Sequence, residues 1–322
     1  MAFTIALTIS FVPAFIYAAI VYWLDRFEKE PLRLLIGAFF WGAFVATMGA
    51  IIWTSVLQLG IELLVGPEFA DVAGTTLLAP IVEEVLKGLA VTIIFLAFPD
   101  EFDSVLDGMV YGAITALGFA ATENVLYLFF MGYGEGGYEG MFTLFVLRVI
   151  LGGWGHAVYT AFFGAGLALG RLRPGKVGRV AFPLIGLLIA IFLHALHNTM
   201  AVFLGELFGL AGLAALLLVD WTGWAIALGV VFWALLRERN WMRLYLREEV
   251  AAGLMSEVQY REACSLRGRL LPRFYSHETR RFYTLCAELA QKKHQLATLG
   301  DERGNAARVK ALRAQLQTLT SR

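Results

Sequence analysis

Polar side chains that can exchange protons or bind metals interrupt long apolar segments of this 322-residue chain. Glu83, Glu84 and Lys87 lie in one such segment, and His156 and His194 lie in two others. A charged side chain near the middle of a membrane helix costs about 2.5–3.5 kcal/mol on insertion scales, so each such position is a functional candidate. The same apolar segments also carry Asp107, Glu123, Asn124, Tyr127, Arg148, His197 and Asn198.

Helical spacing sorts these residues by the face on which they lie. Glu83 and Lys87 are four residues apart and can pair, whereas Glu84 lies about 100° further round the helix and is free to point elsewhere. Two adjacent carboxylates with one lysine leave an acid without a cation of its own, which suits a general base. The polar residues of the sixth apolar segment can line one groove together: His194, His197 and Asn198.

Two kinds of acyl-bond hydrolysis fit this set of residues, which does not choose between them. Two histidines and glutamates can bind Zn²⁺ through three ligands while a further glutamate activates water. Without a metal, one glutamate takes a proton from water, one histidine assists, and a histidine with Asn198 stabilises the oxyanion. The sequence lacks the motifs of other intramembrane hydrolases, namely His-Glu-x-x-His, Gly-x-Gly-Asp and Gly-x-Ser-x-Gly.

Structural roles are the alternative interpretation of several positions. His156 follows a glycine-rich stretch and can be a helix-packing residue. Arg148 is expected to be the counter-charge of Glu123 or Asp107 rather than a catalytic group, and Asp220 is expected at the membrane surface. The three charged residues of the third apolar segment can form a buried ion-pair network between helices: Glu83, Glu84 and Lys87.

Composition identifies the solvent that surrounds most of the chain. Hydrophobic residues make up 59% of it and charged residues 16%, with a mean hydropathy of +0.68, whereas soluble domains are about 25% charged. We predict an all-α polytopic membrane helix bundle, because seven apolar stretches are long enough to cross a bilayer. The last stretch either tilts or begins with a separate piece before Asp220, which gives seven or eight membrane segments. The stretches are residues 3–24, 34–59, 72–98, 105–131, 141–169, 180–204 and 207–236.

The net charge of zero conceals an asymmetry between two predicted units. Residues 1–237, the predicted transmembrane protease domain, hold 10 Lys and Arg against 17 Asp and Glu, whereas residues 238–322 hold 16 against 9. Cytoplasmic loops collect Lys and Arg, so the basic loops near residues 26–33 and 171–179 are expected on the same side as the basic tail. This places the N-terminus outside and the tail in the cytosol. The loop 99–104 is an exception, because it falls inside with three acids and no base.

The basic tail is predicted to form a soluble helical hairpin. One run begins at Ser276 or His277 and ends at Gly300, and Asp301 caps a second run that ends near Thr320. A regulatory role, or a cytosolic partner of this tail, is a hypothesis. Nucleic acid is not an expected partner, because basic residues beside a bilayer are explained by lipid headgroups.

Five motifs in chain order resemble the PrsW family, which are bacterial multi-pass proteases that degrade membrane-bound anti-sigma factors. The family is in turn similar to the CAAX prenyl protease and bacteriocin-processing group, whose paired glutamates, single histidine and His-x-x-x-Asn element correspond to residues 83–84, 156 and 194–198. The motifs lie within residues 34–204 and are Pro80-x-x-Glu83-Glu84-x-x-Lys87, Asp107-Gly108-x-x-Tyr111-Gly112, Glu123-Asn124-x-x-Tyr127, Gly155-His156-Ala157-x-Tyr159 and His194-x-x-His197-Asn198.

The resemblance implies an intramembrane endopeptidase that cuts a membrane-anchored, anti-sigma-factor-like protein in the bacterial plasma membrane. Glu83 or Glu84 would activate water, and Asn198 would orient the substrate or stabilise the oxyanion. His156 and His194 would either bind Zn²⁺ together with Glu84 or assist proton transfer without a metal. The resemblance also implies an eight-helix-like core, in which the tail has no counterpart. The supporting positions are Lys87, Glu123, Asn124, Tyr127, Arg148 and His197.

Two other functions compete with proteolysis. A proton- or ion-coupled transporter would use Glu83, Lys87, Glu123 and the histidines as a relay, but the matching halves that transporters commonly show are not apparent. A non-catalytic membrane scaffold would bind its partner through the tail and would tolerate loss of the glutamates. The substrate, the cleavage site and the oligomeric state do not follow from any of these motifs.

Overall fold

The fold is helical throughout the residues that the computed structural model describes, namely 1–25, 29–173, 175–265, 276–301 and 304–320, without the side chains at 205, 206 and 210. The all-α prediction is therefore confirmed. In chain order the helices are α1 (Ala2–Leu24), α2 (Leu32–Phe40), α3 (Thr47–Val65), α4 (Pro67–Ala73), α5 (Ala79–Ala97), α6 (Val105–Leu126), α7 (Gly134–Leu144), α8 (Gly155–Arg171), α9 (Lys176–Phe208), α10 (Leu210–Tyr245), α11 (Arg247–Ala251), α12 (Glu257–Ala263), α13 (His277–Leu299) and α14 (Asn305–Thr320).

Wider π-helical segments interrupt the helices of the apolar part. They join α2 to α3, α4 to α5 and α6 to α7, and one more follows α7. A π turn adds a residue to the helical turn, so it rotates the side chains that follow, and such turns are frequent at functional sites. The segments are Trp41–Ala46, Gly74–Leu78, Tyr127–Tyr133 and Phe145–Leu151.

Several helical stretches are long and apolar enough to cross a membrane. Helix α5 is not among them, because Glu83, Glu84 and Lys87 all lie within its 19 residues. The number of crossings, seven or eight, therefore stays a prediction. In the described part of the chain the five stretches that qualify are Ala2–Leu24, Leu32–Val65, Val105–Arg171, Lys176–Leu204 and Ala211–Ala251.

The stretch Val105–Arg171 contains two helical limbs that lie side by side. The chain turns at Gly137, whose φ of 60° lies in the left-handed region that glycine adopts without strain. A Cβ atom at Gly140 would lie 2.4 Å from the carbonyl oxygen of Gly132, so the limbs on either side of the turn are in close contact.

Helix α10 follows α9 after a second tight turn. Gly209 has a φ of 52°, and a Cβ atom at Gly212 would lie 2.0 Å from the carbonyl oxygen of Leu204. Helix α10 then continues unbroken from Leu210 to Tyr245. The region before Asp220 is therefore not a separate helical piece.

Glycines let three helices of the apolar part approach closely. A Cβ atom at Gly164 in α8 would lie 1.8 Å from the carbonyl oxygen of Gly108 in α6. On the other side of α8, a Cβ atom at Gly166 would lie 2.5 Å from the carbonyl oxygen of Phe182 in α9. Only glycine permits such backbone contacts. Helix α8 is thus held between α6 and α9.

The tail folds as the predicted helical hairpin with an apolar core of its own. Helix α13 begins after Ser276, whose hydroxyl accepts a hydrogen bond from the Thr279 amide, and it ends at Gly300. Asp301 accepts a hydrogen bond from the Ala306 amide at the start of α14. The core also includes the end of α10, and its buried members include Met242, Leu246, Phe282, Leu289, Leu312 and Leu316.

Ion pairs join the tail to the acidic loop between α5 and α6. Asp103 is buried and accepts hydrogen bonds from Lys292 and Gln295 of α13. The Arg308 guanidinium lies 2.6 Å from Asp100, and Arg171 lies 3.9 Å from the same carboxylate. The loop 99–104 contains no base, and the tail supplies the positive charge that it lacks.

Candidate functional site

Helix α5 presents a lysine and two glutamates that lie in contact with one another. The Lys87 ammonium lies 2.6 Å from Glu84 Oε1 and 3.6 Å from Glu83 Oε2. The side chains of Lys87 and Glu84 have no exposed surface, and that of Glu83 is 9% exposed. The Phe119 ring of α6 covers the ammonium at 4.4 Å. Lys87 is therefore a cation that both carboxylates share.

His194 of α9 contacts both glutamates through different ring nitrogens. Its Nδ1 donates to Glu84 Oε1 at 3.0 Å, and its Nε2 lies 3.7 Å from Glu83 Oε2. The hydroxyl of Thr160 in α8 donates to Glu84 Oε2 at 2.8 Å. Both oxygens of Glu84 are therefore engaged by neighbouring donors.

His156 of α8 lies between Lys87 and a second acid. Its Nε2 donates to Glu123 Oε2 at 3.0 Å, and its Nδ1 lies 3.3 Å from the Lys87 ammonium and accepts from it. Arg148 binds the same Glu123 oxygen at 2.7 Å and donates to Asn124 at 3.1 Å.

The sequence predicted either Glu123 or Asp107 as the partner of Arg148. In the structure Arg148 pairs with Glu123. Its guanidinium also covers the Tyr127 ring at 3.7 Å. Asp107 instead accepts hydrogen bonds from the backbone and hydroxyl of Ser104 and caps the start of α6. The hydroxyl of Tyr111 donates to Glu30. The motif that contains Asp107 and Tyr111 therefore lies outside the cluster around His156.

Glu83, His156 and His194 can each offer a ligand atom within 4.8 Å of the others. The sequence analysis placed Glu84 in this set, but the structure brings Glu83 to the histidines, while Glu84 supports His194 from the other side of its ring. Among the described residues, no hydrogen bond reaches the buried Glu83 Oε2. The hydrogen bonds to Glu84 and Glu123 leave His194 Nε2 with a free electron pair, as metal-binding histidines require. His156 Nδ1 also lacks a ring proton, but its electron pair accepts from Lys87, so a metal bound there would replace the ammonium. The three residues therefore fit a divalent metal such as Zn²⁺.

Two predicted residues of α9 lie apart from this cluster. The amide nitrogen of Asn198 donates to the carbonyl oxygen of Thr75 at 2.9 Å, so it binds the π-helical segment Gly74–Leu78. His197 Nδ1 lies 2.9 and 3.0 Å from the two oxygens of Asp220 in α10. The Asp220 side chain is only 5% exposed, because its carboxylate faces His197. Its expected position at the membrane surface stays a prediction.

A cavity of about 800 Å³ lies beside the cluster. Its wall includes Gly136 and Gly140 beside the turn at Gly137, together with Gly152 and Gly153 before α8. Aromatic and charged side chains line the cavity together with small residues, and the small residues leave room for an extended peptide. The polar lining residues are Asn124, Tyr127, Glu135, Glu139, Thr143, Arg148, His156, Tyr159, His197 and Asp220.

The sequence analysis missed Thr160 as a partner of Glu84 and Asp220 as a partner of His197. Asp220 carried a signal, since it is the one acid within the apolar stretch 207–236. Thr160 carried none, because threonine is common in membrane helices and its partner lies 76 positions away in sequence.

Comparisons with known proteins agree on one family. A family model described as PrsW family intramembrane metalloprotease matches residues 30–241. "Protease PrsW" of Geobacillus kaustophilus (strain HTA426) is 28% identical over 174 residues, which cover 54% of this chain and 69% of that protein. "Protease PrsW" of Bacillus subtilis (strain 168) is 28% identical over 180 residues, or 54% of this chain and 72% of that protein. No solved structure matches the chain.

Proposed function

Because the chain belongs to the PrsW family of intramembrane metalloproteases, and is therefore an integral membrane peptidase, we propose that it cleaves a membrane-anchored protein with Glu83, His156 and His194. One observation carries this assignment of residues. Three side chains from three different helices converge at one buried point, beside a cavity that can admit a peptide. Neither the transporter nor the scaffold alternative is favoured by the comparisons.

We assign the metal to these three residues and name Zn²⁺ as the ion, since two histidines and a carboxylate are ligands that catalytic zinc prefers. The ion would supply Lewis-acid chemistry, polarising a carbonyl group or a water molecule. Glu84 and Glu123 position His194 and His156 by accepting their other ring protons. In a metal-independent reaction, the hydrogen-bond-free Oε2 of Glu83 would take a proton from water.

Asn198 receives a different role from the one that the family resemblance implied. Its amide nitrogen is bound to Thr75, so we assign it to holding α9 against the segment Gly74–Leu78. Arg148 and Asn124 hold Glu123 in place, and Lys87 neutralises the paired glutamates.

The proposed setting is the bacterial plasma membrane, with the N-terminus outside and the tail in the cytosol. Asp100 pairs with Arg171 and with Arg308. These contacts support a topology in which the loop 99–104, the end of α8 and the tail lie on the same side of the membrane. The cavity is lined by Gly136 and Gly140 on either side of the turn at Gly137, which this topology places on the outer side. A substrate with a single membrane anchor, such as an anti-sigma factor, would enter from there. Residues 1–237 would form the protease unit and residues 238–322 the cytosolic unit.

Metal content and cleavage, measured on the same detergent-purified protein, test the assignment. Wild-type protein should contain about one zinc per chain. Glu83→Gln, His156→Ala and His194→Ala should each lose both the zinc and the cleavage of a membrane-anchored reporter. His277→Ala, at the exposed start of α13, is the matched control and should retain both. Wild-type protein that cleaves without metal after chelation would contradict the metal site and leave Glu83 as the base.

A further inference from the structure

A second histidine–carboxylate pair faces the cavity, and the cluster around Glu83 does not use it. His197 of α9 directs Nδ1 at both oxygens of Asp220 in α10, at 2.9 and 3.0 Å. The His197 side chain is 26% exposed, whereas that of Asp220 is 5% exposed. The carboxylate is therefore buried behind an imidazole that reaches the cavity.

The contact with Asp220 determines how the imidazole can exchange protons. A ring nitrogen that faces two carboxylate oxygens carries a proton, so Nε2 of His197 is the position left for exchange. The contact also fixes the ring, in the way that an aspartate orients a catalytic histidine. His197 is thus held in one orientation with Nε2 free for proton exchange.

The pair lies next to the candidate metal ligands along the same wall. The Tyr159 ring stacks on His194 with centroids 5.2 Å apart, and its centroid lies 6.3 Å from that of His197. His194 and His197 are three residues apart on α9, so they lie on one face of that helix. Since Tyr159, His156 and His197 all line the cavity, a peptide bond near His156 lies close to His197 as well.

Peptide hydrolysis requires a proton on the leaving nitrogen, because an amide anion is a very poor leaving group. Arg148 also lines the cavity, but a guanidinium does not release its proton in proteins. Lys87 is buried against two carboxylates. The cavity lining also includes His156, which the cluster uses, and the tyrosines Tyr127 and Tyr159. Among these groups, His197 combines an ordinary proton-exchanging side chain with a carboxylate that orients it.

Resting on the proposed function, we propose that His197 is the catalytic acid that protonates the leaving amine, and that Asp220 is its positioning residue. Water oxygen bonds to the carbonyl carbon, and the water proton passes to a carboxylate of the cluster. The C–N bond breaks, and the nitrogen keeps the electron pair and takes the proton from His197 Nε2. Proton exchange with cavity water restores both groups, so the products are a carboxylic acid and an amine.

A matched pair of substrates tests this role. One synthetic membrane-anchored reporter peptide is prepared with an amide, and another with an ester, at the bond that wild-type protein cleaves. An alkoxide leaves without prior protonation far more readily than an amide anion does. His197→Gln should therefore lower kcat on the amide by about 10²–10⁴-fold and on the ester by less than about tenfold. Asp220→Asn should also lower kcat more on the amide than on the ester, but by a smaller factor than His197→Gln does.

Controls separate this role from a structural one. The double variant His197→Gln with Asp220→Asn removes both charges, so it avoids an unpaired buried carboxylate and should show the same amide-selective loss. Thr199→Val changes a hydroxyl on the same helix that donates only to its own backbone at Ala195, and it should leave both rates unchanged. His156→Ala should abolish cleavage of both the amide and the ester reporter.

Two results would overturn the proposal. Equal losses on amide and ester in the His197 variants would mean that the pair only packs α9 against α10. An unchanged amide rate would mean that another group donates the proton. Wild-type protein that cleaves neither reporter would instead remove the proposed function, and the role of His197 with it.

Discussion

Lys87 and Glu84 form an ion pair with no exposed surface. Removing either charge therefore leaves the other buried without a partner, which lowers the stability of the fold. Breaking a buried pair by removing one partner typically costs 3–5 kcal/mol, because the remaining charge is left uncompensated. Glu84 also receives hydrogen bonds from His194 and Thr160. Glu83 differs, since its Oε2 lies 3.6 Å from the ammonium and accepts no hydrogen bond from the described residues.

Glu84→Gln is therefore expected to destabilise the protein more than Glu83→Gln does. The first change should lower the free energy of unfolding by about 3 kcal/mol and abolish cleavage, because Lys87 loses its counter-charge and His194 keeps only a neutral amide oxygen as its acceptor. The second should abolish cleavage and metal binding with a smaller loss of stability. Denaturant titration in detergent micelles measures the difference, with the exposed Glu139→Gln as control. Equal losses of stability would contradict the separate roles of the two glutamates.

The sequence predicted which residues gather at the site better than it predicted their partners. Glu83, Glu84, His156 and His194 do meet, because polar groups in apolar helices must find one another. Which glutamate faces the histidines depends on how α5 is rotated against α8 and α9, and adjacent residues on one helix do not reveal this rotation. The contact of Asn198 was not predictable for a related reason, since its acceptor Thr75 belongs to the segment Gly74–Leu78. The role that the resemblance implied for Asn198 stays a prediction.

At the scale of helices, the approach of α6 to α8 positions the site. Helix α6 carries Glu123 and α8 carries His156, and their hydrogen bond requires the two backbones to meet at Gly108 and Gly164. Gly108 and Gly112 permit this approach, since a Cβ atom at either would lie 2.1 or 2.5 Å from a carbonyl oxygen of α8. The π-helical segments that carry Tyr127 and Arg148 were not predictable, because a single inserted residue changes a helix without any marker in its composition.

Gly164→Ala is expected to separate these two helices, because its Cβ would lie 1.8 Å from the Gly108 carbonyl oxygen. Overpacking of this kind costs about 1–3 kcal/mol, and it should also slow reporter cleavage by moving His156 away from Glu123. Thermal unfolding in micelles and reporter cleavage measure the two effects. Gly229→Ala in α10 is the matched control, since its Cβ meets nothing within 4 Å. If both variants behave like wild type, the α6–α8 contact does not position the site.

Across the whole molecule, the tail forms a core that includes the end of α10. His294 of α13 stacks on Trp241 of α10, with ring centroids 4.1 Å apart. Burial, and to a lesser degree the positive charge of Arg237, lowers the pKa of His294 from its ordinary value of 6.5 to about 4. The hairpin itself was predicted from its end signals at Ser276 and Gly300. Its attachment to residues 100–103 was not predictable, because the partners are about 190 residues apart in sequence.

The tail is expected to loosen in mild acid. Above pH 6.5 His294 is neutral whether the tail is folded or not, whereas between about pH 6.5 and 4 the unfolded tail binds a proton that the folded tail excludes. Stability is therefore lost as the pH falls through this window. Labelling of the two buried cysteines, Cys264 and Cys286, with 4,4′-dithiodipyridine should accelerate between pH 7 and 4.5.

His294→Gln should weaken this acceleration, because the variant has no imidazole to protonate in that window. His277→Gln changes an exposed histidine of the same helix and should label as wild type does. Labelling that stays independent of pH in wild-type protein would show that His294 does not couple the tail to pH.

The ion pair between Asp103 and Lys292 has a consequence for the order of biosynthesis. The acidic loop leaves the ribosome long before its cation exists, since the two residues are 189 positions apart. The helices that carry Glu83, Glu84 and Glu123 are therefore synthesised next to a loop that still lacks this cation. The contact forms only when α13 has been translated and returns to the loop, so a chain stopped after Tyr245 would leave Asp103 without Lys292 permanently.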